Sequence, residues 1–216
     1  AGNVAGGRYA LANNTTASNN TAVGYASLLN NTTGTRNTAV GTNVLDNLTT
    51  GDDNTAIGFE ALTQCSGSDN TALGKDCLYN CTTGGFNTAA GKDSLTSLTD
   101  GTENTGHGVS TGLNLTTGTQ NTCIGSEAGH DLTTGSNNLL LGKSAGRSSS
   151  PSGELNGSNN RVVLGNNNIT HLYCADTSIS SSDARDKTDV ADFTKGLDWI
   201  KALRPITYRW DKRTWY

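Results

Sequence analysis

The sequence predicts an all-β protein, a repetitive β-solenoid or β-roll of about 17-residue coils, and three observations predict it. A glycine recurs at one spacing through most of the chain, at Gly7, Gly24, Gly41, Gly58, Gly74, Gly91, Gly108, Gly125 and Gly142, seventeen residues apart except for one step of sixteen. Self-similarity this constant is the mark of one short unit stacked on itself. Apolar residues make up 33% of the chain and aromatic ones 6%, with 27 glycines in 216 residues, too little for an ordinary globular core. No apolar stripe at a spacing of three or four survives ten residues of the repeat, which excludes helix there.

With the anchor asparagine as slot 1 and the recurrent glycine as slot 5, the unit opens Asn20-Thr21-Ala22-Val23-Gly24, Asn37-Thr38-Ala39-Val40-Gly41, Asn54-Thr55-Ala56-Ile57-Gly58 and Asn70-Thr71-Ala72-Leu73-Gly74. Later copies drift but keep the frame, and a tenth, Arg161-Val162-Val163-Leu164-Gly165, follows an inserted Ser148-Ser149-Ser150-Pro151-Ser152-Gly153 loop. A second apolar site lies four residues beyond the glycine, at slot 9, filled by Leu11, Leu28, Leu45, Leu62, Leu78 and Leu95. A Thr-Thr-Gly turn such as Thr32-Thr33-Gly34 follows. Two short strands and two turns per coil fit this pattern. Parallel strands about 4.8 Å apart bring equal slots into ladders, and nine coils make a rod on the order of 45 Å.

The Asn and Gly ladders are expected to be structural, asparagine because it tolerates the left-handed region at turns and glycine because it supplies positive φ. Asn-x-Thr matches such as Asn31-Thr32-Thr33 are then by-products of turn chemistry rather than glycan acceptors. Alanine, valine and leucine at two slots bury little area at about 25 cal/mol per Å², against an ordering cost of about 1 to 2 kcal/mol per residue. One thin chain therefore calls for partners, and copies in parallel around a common axis, a parallel homotrimer, are the simplest remedy.

The Asn-Thr-Ala-Val-Gly unit with its Ala-Leu and Thr-Thr-Gly segment resembles the repeats of phage tail-fibre proteins over residues 3 to about 165. It is more distantly similar to the head repeats of trimeric autotransporter adhesins. Both resemblances imply a parallel homotrimer of β-solenoid or β-roll character.

Residues 182–216 differ in kind. They carry eight Lys or Arg against six Asp, where residues 1–181 carry seven against thirteen acidic residues, and all three tryptophans, Trp199, Trp210 and Trp215, lie among them. The shift divides the chain into a repeat rod (1–147), a last repeat with inserted loop and linker (148–181) and a small α+β C-terminal segment (182–216). Phe193, Leu197, Ile200 and Leu203 predict a short amphipathic helix that Pro205 stops. Ile206 to Trp210 alternate as a strand.

The order Ser182-Asp183-x-Arg185-x-Lys187, Gly196-Leu197-x-x-Ile200-x-x-Leu203-Arg204-Pro205 and Tyr208-Arg209-Trp210 resembles the start of the self-cleaving intramolecular chaperone at the C-terminus of phage tailspikes and tail fibres, including endosialidases. That resemblance implies a segment that drives trimer folding and registration and is released by cleavage at Ser181-Ser182. Ser182 would be the nucleophile and Lys187 its base, acting once on the chain itself. The bland alternative is a solvated turn before a helix.

Cys65 and Cys81 occupy one slot of adjacent coils, eleven residues past Asn54 and Asn70, so they should stack about 5 Å apart and form a disulfide if oxidised. Leu48 and Leu98 fill the same slot elsewhere, which favours the plainer role of apolar filler. Cys123 stands in the alanine slot and is expected in the core, and Cys77-x-x-x-Cys81 lacks the second ligand pair of a zinc site. His107 replaces an apolar residue and is expected as a satisfied core or surface histidine, the alternative being that it faces a partner chain or an axial ion. No cofactor or metal is expected.

Net charge is −4 without a basic stripe, which argues against nucleic acid. No hydrophobic run is long enough to insert in a membrane, and no leading signal peptide is visible. Asp52, Asp53, Glu60 and Glu103 form no persuasive pair for glycan hydrolysis. The expectation is a structural and adhesive virion protein, the distal shaft of a tail fibre. Its partners would be itself, tail or baseplate proteins, and a host-surface glycan or protein met by the loop at 148–158. A bacterial adhesin head and a polysaccharide-depolymerising tailspike are the alternatives.

Overall fold

A small apolar residue between two outward ones, as in Thr-Ala-Val, is the alternation of a strand covered on one face. In the computed structural model, which describes residues 2–173, this triplet forms the strand of every coil. The strands are β1 (Val4–Gly6), β2 (Thr21–Val23), β3 (Thr38–Val40), β4 (Thr55–Ile57), β5 (Thr71–Leu73), β6 (Thr88–Ala90), β7 (Thr105–His107), β8 (Thr122–Ile124), β9 (Leu139–Leu141) and β10 (Val162–Leu164). They make one parallel ten-stranded sheet in chain order, slot upon slot: Ala22 pairs with Ala39, Ala39 with Ala56 and Ala56 with Ala72. The described residues are all-β, without helix, and the expected solenoid of about seventeen-residue coils is the fold.

One strand per coil is found where two were expected. The second apolar site cannot be a strand, because Leu11, Leu28, Leu45, Leu62, Leu78 and Leu95 have φ between 50° and 53°. That left-handed backbone is uncommon for a bulky residue. Neighbouring coils impose it by hydrogen bonding: Leu28 N–H donates to Val44 O at 3.0 Å and Leu45 N–H to Ala61 O at 3.1 Å. Slot 8, just before, holds a small buried residue such as Val44, Ala61, Cys77 or Ala128.

The slot-1 asparagines are buried and are not the left-handed residues of their turns, contrary to the turn role expected for them. Positive φ falls instead on the residue before each, from Asn19 through Arg36, Asp53, Asp69, Phe86, Glu103, Gln120 and Asn137 to Asn160, at 57° to 61°. The asparagine amide closes its own coil and holds the next. Asn20 Nδ2 donates to Gly34 O at 2.8 Å, while Asn20 Oδ1 accepts Asn37 N–H at 2.8 Å. The pattern repeats at Asn37, Asn54, Asn70, Asn87, Asn104, Asn121 and Asn138, so backbone groups without a strand partner are paired. The first threonine of each Thr-Thr-Gly turn adds an outer ladder, Thr32 Oγ1 donating to Thr49 O at 3.0 Å.

Both glycine ladders are required by stacking. Slot-5 glycines from Gly7 to Gly125 have φ between 121° and 141°, and a Cβ at Gly24 would meet Gly41 O at 2.1 Å. The turn glycines lack positive φ, but a Cβ at Gly67 would meet Gly84 O at 2.0 Å. The one sixteen-residue step is a turn shortened to Ser66-Gly67, which leaves the ladders in register.

Inside, the core is one continuous stack of slots 3, 8, 9 and 12. From coil to coil slots 3 and 9 exchange volume. Alanine opposes leucine through Ala89 and Leu95, after which slot 9 becomes Gly112, Gly129 and Gly146. The slot-3 partners of the last two grow to Cys123 and Leu140, and a Cβ at Gly129 would meet Cys123 Sγ at 2.6 Å. In the coil between, Gly106 and Gly112 leave room that Thr111 and Leu95 fill. The interior thus stays close-packed while its sequence changes.

Candidate functional site

The solenoid departs from its repeat most at the inserted loop, where the step from Asn138 to Arg161 is twenty-three residues. Its base is fixed at three places. Leu155 is buried in slot 12 and Ser150 is buried with its hydroxyl donating to Gly165 O at 3.1 Å. Arg147 reaches back one coil to Glu127, at 2.6 Å, and to Asp131, at 3.7 Å. Hydrogen bonds from Ser144 and then Arg147 hold the Glu127 carboxyl below its ordinary range. His130 Nδ1 lies 2.6 Å from Asp131 Oδ1 beside them. What projects is a short tip with Pro151, Ser152 and Glu154 exposed, on a charged and partly buried foot. The arrangement suits contact with a polar partner by a shaped loop on a rigid support. The foot was not foreseen, since its groups lie twenty and sixteen residues apart and meet only after coiling.

Shallow concavities lie elsewhere among the described residues. A groove of about 400 Å³ runs over the last coils between Gln120, Asn137, Asn160 and Arg161 on one side and Leu139 and Val162 on the other. A smaller one, of about 240 Å³, is lined by Glu60, Asp76, Asp93, Tyr79 and Thr96. Lys75 pairs with Asp76, and Lys92 with Asp93 at 2.8 Å, so two of these carboxylates are already matched. Among the described residues no group of three His, Cys, Asp or Glu side chains is placed to hold a metal ion. No described helix is long and apolar enough to cross a membrane.

Cys65, Cys77, Cys81 and Cys123 are buried and free. Each Sγ of the stacked pair Cys65 and Cys81 reaches a turn glycine, Gly67 O at 3.6 Å and Gly84 O at 3.4 Å. The adjoining Cys65 thiol and then burial push Cys81 up. Burial alone takes Cys123 up to about 12, and dominates at Cys77, which also reaches about 12. None of these three is a reactive thiolate at neutral pH. Cys123 lies in the core in the alanine slot, as expected. His107 is exposed on β7, in register with Ile124.

Ser182, Lys187 and Cys174 lie outside the described residues, as do the expected C-terminal helix and strand. No curated protein and no solved structure matches the chain. Its C-terminal segment, residues 182–214, does match a known protein family, described as the chaperone of endosialidase.

Proposed function

We propose that the chain is part of a trimeric phage tail fibre, a structural and adhesive virion protein whose solenoid forms the distal shaft. Its C-terminal segment is an intramolecular chaperone that brings three chains into register. The observation that carries this reading is the succession, within one chain, of a parallel solenoid and a segment matching the endosialidase chaperone at residues 182–214. Self-association supports the solenoid because each coil has so small an interior. The tip at 151–154 is the part offered to a host-surface glycan or protein, and the other end of the fibre joins tail or baseplate proteins.

Release of the chaperone is a single-turnover reaction. Ser182 Oγ attacks the carbonyl carbon of Ser181, and Lys187 takes the hydroxyl proton and passes it to the departing Ser182 nitrogen. Water then hydrolyses the ester left on Ser181. A lysine does this at neutral pH only when burial or a neighbouring cation lowers its pKa. Expression of the whole chain, followed by intact-mass and native-mass measurement, tests both parts. The expected result is a trimer and a fragment that begins at Ser182 and is lost on Ser182→Ala or Lys187→Met. A trimer without that fragment removes the cleavage and leaves the folding role, while a monomer removes the fibre.

A further inference from the structure

One side of the solenoid is built unlike the rest. The strands point slots 2 and 4 outward from a buried slot 3, and over ten strands those twenty positions contain no Asp, Glu, Lys or Arg. Slot 2 is threonine from Thr21 to Thr122 and then Leu139 and Val162, while slot 4 runs through Val23, Val40, Ile57, Leu73, Ala90, His107, Ile124, Leu141 and Leu164. Other outward slots are charged freely, as at Arg36, Asp53, Asp69 and Glu103 in slot 17 and Lys75, Lys92 and Lys143 in slot 6. Of the exposed large aliphatic residues up to Gly165, all but Val109 lie in slots 2 and 4, Ile57 being 43% and Leu73 41% exposed. A largely aliphatic row bordered by threonines and free of Asp, Glu, Lys and Arg is the kind of surface a protein shows where it meets another protein.

The strip's repeat identifies the partner. From β2 to β10 it presents threonine and, His107 apart, aliphatic side chains at the inter-strand spacing, about 4.8 Å, over eight steps, about 38 Å in all. A surface of ordinary proteins matches such a ladder at one or two rungs, whereas a parallel copy of the same chain matches every rung. Two rows about 7 Å apart with their side chains give a strip about 12 Å wide. Its plan area is on the order of 500 Å², or about 1,000 Å² over two facing partners, the lower end of what specific interfaces bury. Each strand also shows only three residues, so little backbone competes with the side chains for contact.

Resting on the trimeric reading above, we infer that slots 2 and 4 of β2 to β10 form the seam between copies of this chain. The copies lie parallel and in register, so that layers such as Ile57 and Leu73 meet their own counterparts. The aliphatic rungs supply the dry contact, and the threonine rungs, with a methyl and a hydroxyl each, border it.

Two sets of variants of the whole chain test this. Ile57→Lys with Leu73→Lys places charges in the seam, while Asn47→Lys with Gln64→Lys adds the same charge at exposed slot-11 positions away from it. Native mass is expected to show three chains for the parent and the slot-11 variant and one chain for the seam variant at micromolar concentration, with circular dichroism reporting retained β-structure. Separately, Ile57→Cys is expected to give disulfide-linked pairs of chains when dioxygen and copper–phenanthroline are supplied, and Gln64→Cys is not. A parent of one chain overturns the trimeric reading itself. A trimeric parent whose seam variant stays trimeric, or whose Ile57→Cys form does not cross-link, overturns the seam alone. Should the double lysine variant not fold, the cysteine pair decides.

Discussion

Asn70 shows how much of this fold rests on single side chains. Its Oδ1 accepts Asn87 N–H at 3.1 Å and its Nδ2 donates to Gly84 O at 2.9 Å, both in the buried interior. Asn70→Ala strands both groups, at about 1 to 3 kcal/mol each. Asn70→Asp keeps the shape but replaces the donor by an oxygen facing three acceptor oxygens, Gly84 O, Ser68 O and Asn54 Oδ1. Only the protonated acid donates there, so its folded pKa rises above the unfolded value of about 3.9. A group with a raised folded pKa contributes its stability below the unfolded pKa and loses it as pH rises through the folded one. Urea midpoints should therefore fall much further from pH 4 to pH 7 in Asn70→Asp than in the parent, and parallel behaviour would show that the carboxylate escapes to water. Leu62, at φ 52°, makes a second residue-scale case. Volume-conserving exchanges usually cost under about 1.5 kcal/mol, and Leu62→Met should stay within that. Leu62→Ile should lose about 2 to 3 kcal/mol, because a β-branched residue is a conformational outlier there. Equal midpoints for the two would mean that the left-handed backbone is no constraint.

At the scale of one coil, the repeat frame, the buried alanine and leucine ladders and the core place of Cys123 were legible, because apolar identity recurs at fixed slots. The number of strands was not. A leucine at slot 9 looks the same in sequence whether its backbone is extended or left-handed, and what decides is hydrogen bonding to the next coil. Slot 17 is plainer still: Asn19, Arg36, Phe86 and Glu103 share one left-handed conformation although their intrinsic preferences differ. The same stacking bears on Cys65 and Cys81. Adjacent coils about 4.8 Å apart lie within the roughly 4.4 to 6.8 Å Cα separation that a disulfide spans. Refolding in oxidised glutathione, which takes the two hydrogens by thiol exchange, should link them and add about 3 kcal/mol for a loop near fifteen residues. Peptide mapping that finds Cys65 and Cys81 both alkylated after such refolding would reject the link, and Cys81→Ser supplies the unlinked reference.

For the whole molecule, the legible part of the candidate site was the C-terminal segment, whose Ser182 to Trp210 order resembled the family it matches, and the position of the irregular loop. The loop's charged foot was illegible because its partners come from another coil. The larger consequence is that stability here is a sum over neighbouring coils rather than a property of one centre. Each coil meets only the coils before and after it, slot on slot, as the strand order from β1 to β10 shows. Excision of residues 37–53 joins Arg36 to Asn54, a slot 17 to a slot 1, and sets Ala22 on Ala56 and Val23 on Ile57, the same kinds of contact as in the parent. The shortened chain should keep its β circular dichroism and unfold at a midpoint only modestly lower, since it loses one coil and one interface. Removal of 37–51 alone leaves Asp52 and Asp53 as two extra residues between Arg36 and Asn54, while the later coils keep their register with one another. The stack already absorbs the twenty-three-residue step from Asn138 to Arg161, so this variant should fold too, with the added cost confined to that one turn. If either deletion abolished folding, the nearest-neighbour account of the solenoid would have to be abandoned in favour of a single cooperative core.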